Sequence, residues 1–200
     1  MIVKTIPAGM YAANCYLIYN EITMDALVLD PGGDEDFIIK NIDRLNLNVK
    51  AILLTHGHMD HVGALKAIAD RYKVMTYINK KDIEYMKKGS PVFGKFLDIV
   101  VTFVEDNEVI NIAGFQVQCI WTPGHTPGGM CFLIEDSLFA GDTLFQGSIG
   151  RTDFEGGDYD TIINSIVEKL MILEDNVIVY PGHGEATTII QERNYNPFIN

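Results

Sequence analysis

The segment Thr55-His56-Gly57-His58-Met59-Asp60-His61 puts three imidazoles and a carboxylate within six residues. It follows Ala51-Ile52-Leu53-Leu54, an apolar run that reads as a buried strand, and Gly57 is expected to let the backbone turn between the ligands. A strand that ends in such a knot of donors fixes metal ions on a rigid support. Four donors this close cannot share one ion and still leave room for a substrate. The spacing therefore points to two ions, with further ligands from elsewhere in the chain.

The remaining histidines fit that demand. His125 stands in Thr122-Pro123-Gly124-His125-Thr126 and His183 in Pro181-Gly182-His183-Gly184, each after a strand-like run. Asp142, in Ala140-Gly141-Asp142-Thr143, is a carboxylate in the same kind of strand-to-turn position. A single histidine or aspartate in a turn is ordinarily a surface group or a cap. Five histidines and two aspartates in like positions supply two sites of three donors plus a shared carboxylate. Arg151 is a candidate anchor for an anionic substrate, although an ion pair with Asp153 is the plainer reading. Tyr11 and Phe93 read as core aromatics before pocket residues.

Alternating elements must position these turns. Strands are expected at 14–19, 26–29, 49–54 and 74–78, with helices over 63–71 and after Asp34, where Phe37, Ile38, Ile42 and Leu45 recur at helical spacing and Asp34 is the expected N-cap. A short helix covers 82–88, and residues 92–98 have no clear pattern. Strands follow at 99–104, 109–112, 115–121, 130–134, 137–140 and 176–180, with tight turns at Gly114 and Glu135-Asp136. Asp158 caps a helix reaching Leu170, with Ile162, Ile166, Val167 and Leu170 on one face. Both halves run from strands to helix, which suits two sheets packed face to face with helices outside.

Composition narrows the partners. The chain has 200 residues, 48% of them hydrophobic, enough for one sizeable core. Fifteen basic against 27 acidic residues give a formal charge of −12, which opposes nucleic acid and anionic membranes as partners. Lys80, Lys81, Lys87 and Lys88 read as a solvated helix face. Cys15, Cys119 and Cys131 lie in apolar runs and are odd in number, as expected of buried free thiols in a reducing cytoplasm. No leader pattern opens the chain, and no run approaches a membrane span.

The motif His-x-His-x-Asp-His at His56, His58, Asp60 and His61, followed by His125, Asp142 and His183, resembles that of the metallo-β-lactamase-fold hydrolases. The likeness is greatest to their glyoxalase II (hydroxyacylglutathione hydrolase) branch. Gly141-Asp142-Thr143-Leu144-Phe145 through Gly150-Arg151-Thr152-Asp153 is similar to the short bacterial members. The resemblance runs from Asn14-Cys15-Tyr16 to Asn196-Pro197-Phe198 and implies an α/β, four-layered αβ/βα sandwich. It further implies one ion on His56, His58 and His125, a second on Asp60, His61 and His183, and Asp142 bridging. Zinc is the default, with iron or manganese suited to the same donors.

The activity implied is hydrolysis of a small thioester of the S-lactoylglutathione kind. A metal-bridging hydroxide attacks the carbonyl, and Asp60 and Asp142 are the catalytic carboxylates. Full-length glyoxalase II enzymes carry a helical C-terminal domain that helps bind glutathione. Only 17 residues follow His183, so residues 1–200 are expected to form a single domain lacking it. Two rivals share the ligands. A persulfide dioxygenase would use one iron on His56, His125 and Asp142, and its Gly-Arg-Thr-Asp-Phe segment resembles Gly150 to Phe154; a lactonase would use the full set. A β-lactamase would generally lack Asp142, and a binding module would not need open ligand positions.

Overall fold

The computed structural model describes residues 1–95 and 98–199. In chain order the elements are β1 (Ile2–Ala8), β2 (Ala13–Tyr19), β3 (Asp25–Leu29), α1 (Glu35–Arg44), β4 (Asn48–Leu53), α2 (Met59–Val62), α3 (Leu65–Tyr72), β5 (Met75–Ile78), α4 (Lys80–Lys88) and β6 (Val101–Phe103). There follow β7 (Val109–Ile112), β8 (Phe115–Trp121), β9 (Met130–Ile134), β10 (Ser137–Gly141), β11 (Leu144–Phe145), β12 (Ser148–Ile149), α5 (Tyr159–Ser165), β13 (Ile178–Pro181), β14 (Thr187–Thr188) and α6 (Ile189–Tyr195). One sheet has the order β1-β2-β3-β4-β5-β6 and the other β14-β13-β10-β9-β8-β7.

Period-two patterning sorts the side chains into layers. Ile18, Leu27, Leu29 and Leu53 point between the sheets, where they meet Val117, Phe132 and Phe139. Their neighbours Leu17, Val28 and Ile52 face the other way, against Ile38 and Ile42 of α1 and Leu65 and Ile68 of α3. On the far sheet Leu138, Ala140 and Val179 pack outward on Ile162, Ile166 and Leu170. The result is helix, sheet, sheet, helix: the αβ/βα sandwich expected. Cys15, Cys119 and Cys131 are buried free thiols, one in each of these three layers.

Several local expectations need correction. The helix after residue 34 forms, but Asp34 has φ 50° and makes no side-chain cap; its carboxylate accepts the Gly9 N–H at 2.8 Å instead. Phe37 is 54% exposed, because the buried face of α1 runs through Ile38, Asn41 and Ile42. The helix expected over 63–71 is α3, Leu65–Tyr72, and a separate single turn of helix, α2, precedes it over Met59–Val62. Asp158 does cap α5, accepting the Thr161 N–H at 2.8 Å. Beyond Ser165 the helix widens to a π-turn over Ile166–Leu170. Ile162, Ile166 and Leu170 are buried, while Val167, expected on the same face, is exposed. Within the patternless segment 92–98, residues 96 and 97 lie outside the described residues.

Elements without a clear sequence signal include β1, an edge strand with Pro7 opposite Asn14, where a missing N–H is tolerated. The β11–β12 hairpin and α6 carry no clear sequence signal either. All three border the cavity or support the elements that do.

Candidate metal centre

Loops at the carboxyl ends of four strands converge on one cavity of about 630 Å³. Beyond β4 come His56 and His58, and α2 then carries Asp60 and His61. His125 follows β8, Asp142 follows β10 and His183 follows β13. All seven sequence-predicted donors meet here. His56, His58 and His125 bring donor atoms within 4.8 Å of one another, and so do Asp60, His61 and His183. Asp142 lies between the triads: Oδ2 is 3.6 Å from His125 Nε2 and 3.7 Å from His183 Nε2, and Oδ1 is 3.4 Å from His61 Nε2.

Four atoms of this cluster, His56 Nε2, His58 Nε2, His61 Nε2 and Asp142 Oδ1, are buried without a hydrogen-bond partner. An orphaned buried polar atom costs about 1–3 kcal/mol, and native interiors seldom tolerate one. Four together, three imidazole nitrogens and a carboxylate oxygen, fit divalent ions.

The electrostatics divide the triads. Burial and the neighbouring imidazoles push the His56 pKa well below the usual value and that of His58 down to about 3; His125 is also lowered, mainly by burial. His61 goes the other way: burial opposes its charge, but Asp142 and Asp30 raise its pKa well above the ordinary value. His183 is raised chiefly by Asp60, whose carboxylate is 3.3 Å away. Burial would raise Asp142, yet His61, His125 and His183 hold its carboxyl well below the usual range. Asp60 is likewise lowered, with His183 and His61 outweighing its burial.

Outer contacts fix the rings. Asp30, fully buried, takes His61 Nδ1 on Oδ2 at 3.0 Å and the Thr55 N–H on Oδ1 at 2.8 Å. Its oxygens are thus engaged, and it orients His61 in the manner of a carboxylate behind a ligating imidazole. A lone aspartate after a strand carries no local signal that would set Asp30 apart from a turn residue. His125 Nδ1 is 2.8 Å from the Arg151 carbonyl oxygen. Asn14 donates to the carbonyls of Pro181 and Gly184, and Tyr16 Oη to that of Pro181, pinning the His183 loop to β2 across the sheets.

Two glycines are explained by close approach. A Cβ on Gly182 would stand 2.1 Å from Asp142 Oδ1, so only glycine lets the His183 loop reach the cluster. Gly57 does not adopt the positive φ that would make it a turn residue. A Cβ there would crowd Phe93 Cδ1 at 3.1 Å and Met86 Sδ at 3.2 Å, so packing is the reason for glycine.

Met59, Val92, Phe145, Ile149 and Phe154 form much of the cavity wall, and Tyr11 lines it too. Tyr11 is thereby a pocket residue and is exposed, against the expectation of core, whereas Phe93 is buried beside His58 with ring centroids 4.8 Å apart. Arg151 lines the same wall, but its Nε and Nη2 each donate to Asp153 at 2.7 Å, and its guanidinium lies over Phe154. The ion pair expected from sequence is present.

With this geometry in place, comparison with known proteins gives the class. Residues 8–183 match the metallo-beta-lactamase superfamily, and the chain belongs to that family. It is 40% identical to hydroxyacylglutathione hydrolase GloC of Haemophilus influenzae, over 100% of this chain and 99% of the relative. Among solved structures it is similar to the BLEG-1 B3 metallo-beta-lactamase (TM-score 0.90, 37% identity, 100% of both chains). ETHE1 from Myxococcus xanthus aligns with TM-score 0.85 at 27% identity, over 98% of this chain and 84% of that one. TTHA1623, solved in a di-iron-bound form, aligns at 0.85 and 30%, over 99% and 100%. No helix among the described residues is long and apolar enough to cross a membrane.

Proposed function

We propose that this protein is a binuclear metal-dependent thioesterase acting on small thioesters of the S-lactoylglutathione type. The observation that carries the reading is Asp142, whose carboxylate faces donors of both triads while one of its oxygens remains orphaned. His56, His58 and His125 would hold one ion, Asp60, His61 and His183 the other, and Asp142 would bridge them. Zinc is the default, and the same donors suit iron and manganese. When bound, such ions supply Lewis acidity and lower the pKa of water toward neutrality.

The chain's own groups supply the rest. Asp60 reaches the cavity, and His183 and His61 favour its ionised form, so its carboxylate can orient the attacking water. Phe145, Ile149 and Phe154 seat the acyl portion away from bulk water. A thiolate leaving group, with an ordinary thiol pKa of about 8.5, departs without a dedicated acid. Arg151, on the cavity wall, is already engaged by Asp153. Similarity to the GloC protein over the whole chain supports the substrate class. Three buried thiols suit a reducing, cytoplasmic setting.

A second reading, oxygen-dependent oxidation of a persulfide at a single iron on His56, His125 and Asp142, is kept open by the Gly150–Phe154 segment, which supplies Arg151 and Phe154 to the wall. One experiment separates these readings. Metal content is measured on purified protein alongside hydrolysis of S-lactoylglutathione, a lactone and a chromogenic β-lactam, and oxygen uptake with glutathione persulfide. Two ions per chain with thioester hydrolysis is the expected result. One iron per chain with oxygen uptake and no hydrolysis would overturn it.

A further inference from the structure

We propose that Asp82, on α4, is a positioning residue that joins the two loops bearing His56, His58 and His125 and so sets the three-histidine site. It is fully buried, in the first turn of a helix whose N-cap is Asn79. An acidic residue there ordinarily serves its own helix end. Here both oxygens turn to other loops. Oδ2 accepts the Gly57 N–H at 2.8 Å and the Thr126 hydroxyl at 2.9 Å, and Oδ1 accepts the Gly128 N–H at 2.6 Å.

The connections are short. Gly57 is the residue between His56 and His58, and Thr126 follows His125 directly. A single oxygen therefore ties together loops 67 positions apart whose rings face each other, with His58 Nδ1 2.9 Å from His125 Nε2. The second loop is shaped around the carboxylate, since a Cβ on Gly128 would lie 2.5 Å from Asp82 Oδ1. A buried charge is costly unless well hydrogen-bonded, so a hydrophobic residue would satisfy α4 at less cost. What the carboxylate uniquely provides is acceptor capacity on two sides. An asparagine of the same shape must turn its NH₂ toward at least one of those N–H donors.

The proposal rests on the reading that His56, His58 and His125 hold an ion, and the test separates the two. Metal-free full-length protein is titrated with zinc against a chromophoric chelator. Wild type should take up two ions, one of which His56→Ala removes. Asp82→Asn should weaken that ion by about 10–100-fold and leave the other, defined by His183→Ala, unchanged. Thr126→Val should weaken the same ion by less, and it decides the matter if Asp82→Asn does not fold. Glu192→Gln is the control: Glu192 is an equally buried carboxylate with three donors, from Gly147, Thr187 and Asn196, outside both triads. It should leave both affinities unaltered. Unchanged binding in Asp82→Asn, or a parallel loss of both ions, would overturn the positioning role. Wild type with no ion sensitive to His56→Ala would instead bring down the ligand reading, and the positioning role with it.

Discussion

Asp30 Oδ2 lies 3.0 Å from His61 Nδ1 in a fully buried pair, and that contact decides which nitrogen of His61 faces the cluster. With Nδ1 engaged, Nε2 is the atom left without a partner, 3.4 Å from Asp142. Asp30→Asn keeps the shape and removes the charge that favours an Nδ1–H. Affinity for the ion on Asp60, His61 and His183 should fall by about 10–100-fold, while the three-histidine ion is retained. Isothermal titration of the metal-free variant checks this. Equal loss at both sites would count against the assignment.

Acid should strip the two proposed ions in a fixed order. In the metal-free protein the pKa values of His61 and His183 are raised, so an ion arriving there must displace protons as pH falls through that raised range. His56, His58 and His125 have lowered pKa values, about 3 for His58, and stay neutral and ready to ligate to lower pH. The ion on Asp60, His61 and His183 should therefore leave first on acidification from pH 8 toward 5. Metal content after dialysis at stepped pH, compared between wild type and His183→Ala, reads the order.

Removing the shared carboxylate should end the reaction. Asp142→Ala takes away the group that faces both triads, and His58→Ala opens the three-histidine set. Each variant should lose S-lactoylglutathione hydrolysis to background. If either retains wild-type kcat/KM at full metal loading, the proposed ligand set is wrong.

Gly182→Ala tests the cradle. The added methyl would meet Asp142 Oδ1 at 2.1 Å and His61 Cε1 at 2.7 Å, so the His183 loop must move away. Chelator competition should show weakened binding at the ion held by His183. The fold should survive, because the loop borders the cavity and the core layers lie elsewhere. A variant with unaltered metal affinity would show that the loop relaxes without consequence.

Donor chemistry and periodicity are local, and that is the part of this protein its sequence determines. His56, His58, Asp60, His61, His125, Asp142 and His183 could be named from residue type and from their turns after apolar runs. The apolar runs at 14–19 and 51–54 likewise declare buried strands. The tertiary structure decided what depends on residues far apart in the chain. Asp30 reaches His61 across 31 positions and Asp82 reaches Gly57 across 25, and neither carries a local mark that distinguishes it from a turn or helix-end aspartate. Tyr11 belongs to the cavity because of where its loop comes to lie, and Phe37 and Val167 are exposed because of how their helices are rotated and wound. Two triads with Asp142 between them exist only once the two sheets pack face to face, since ligands from β4 and α2 meet those from β8, β10 and β13 across that interface.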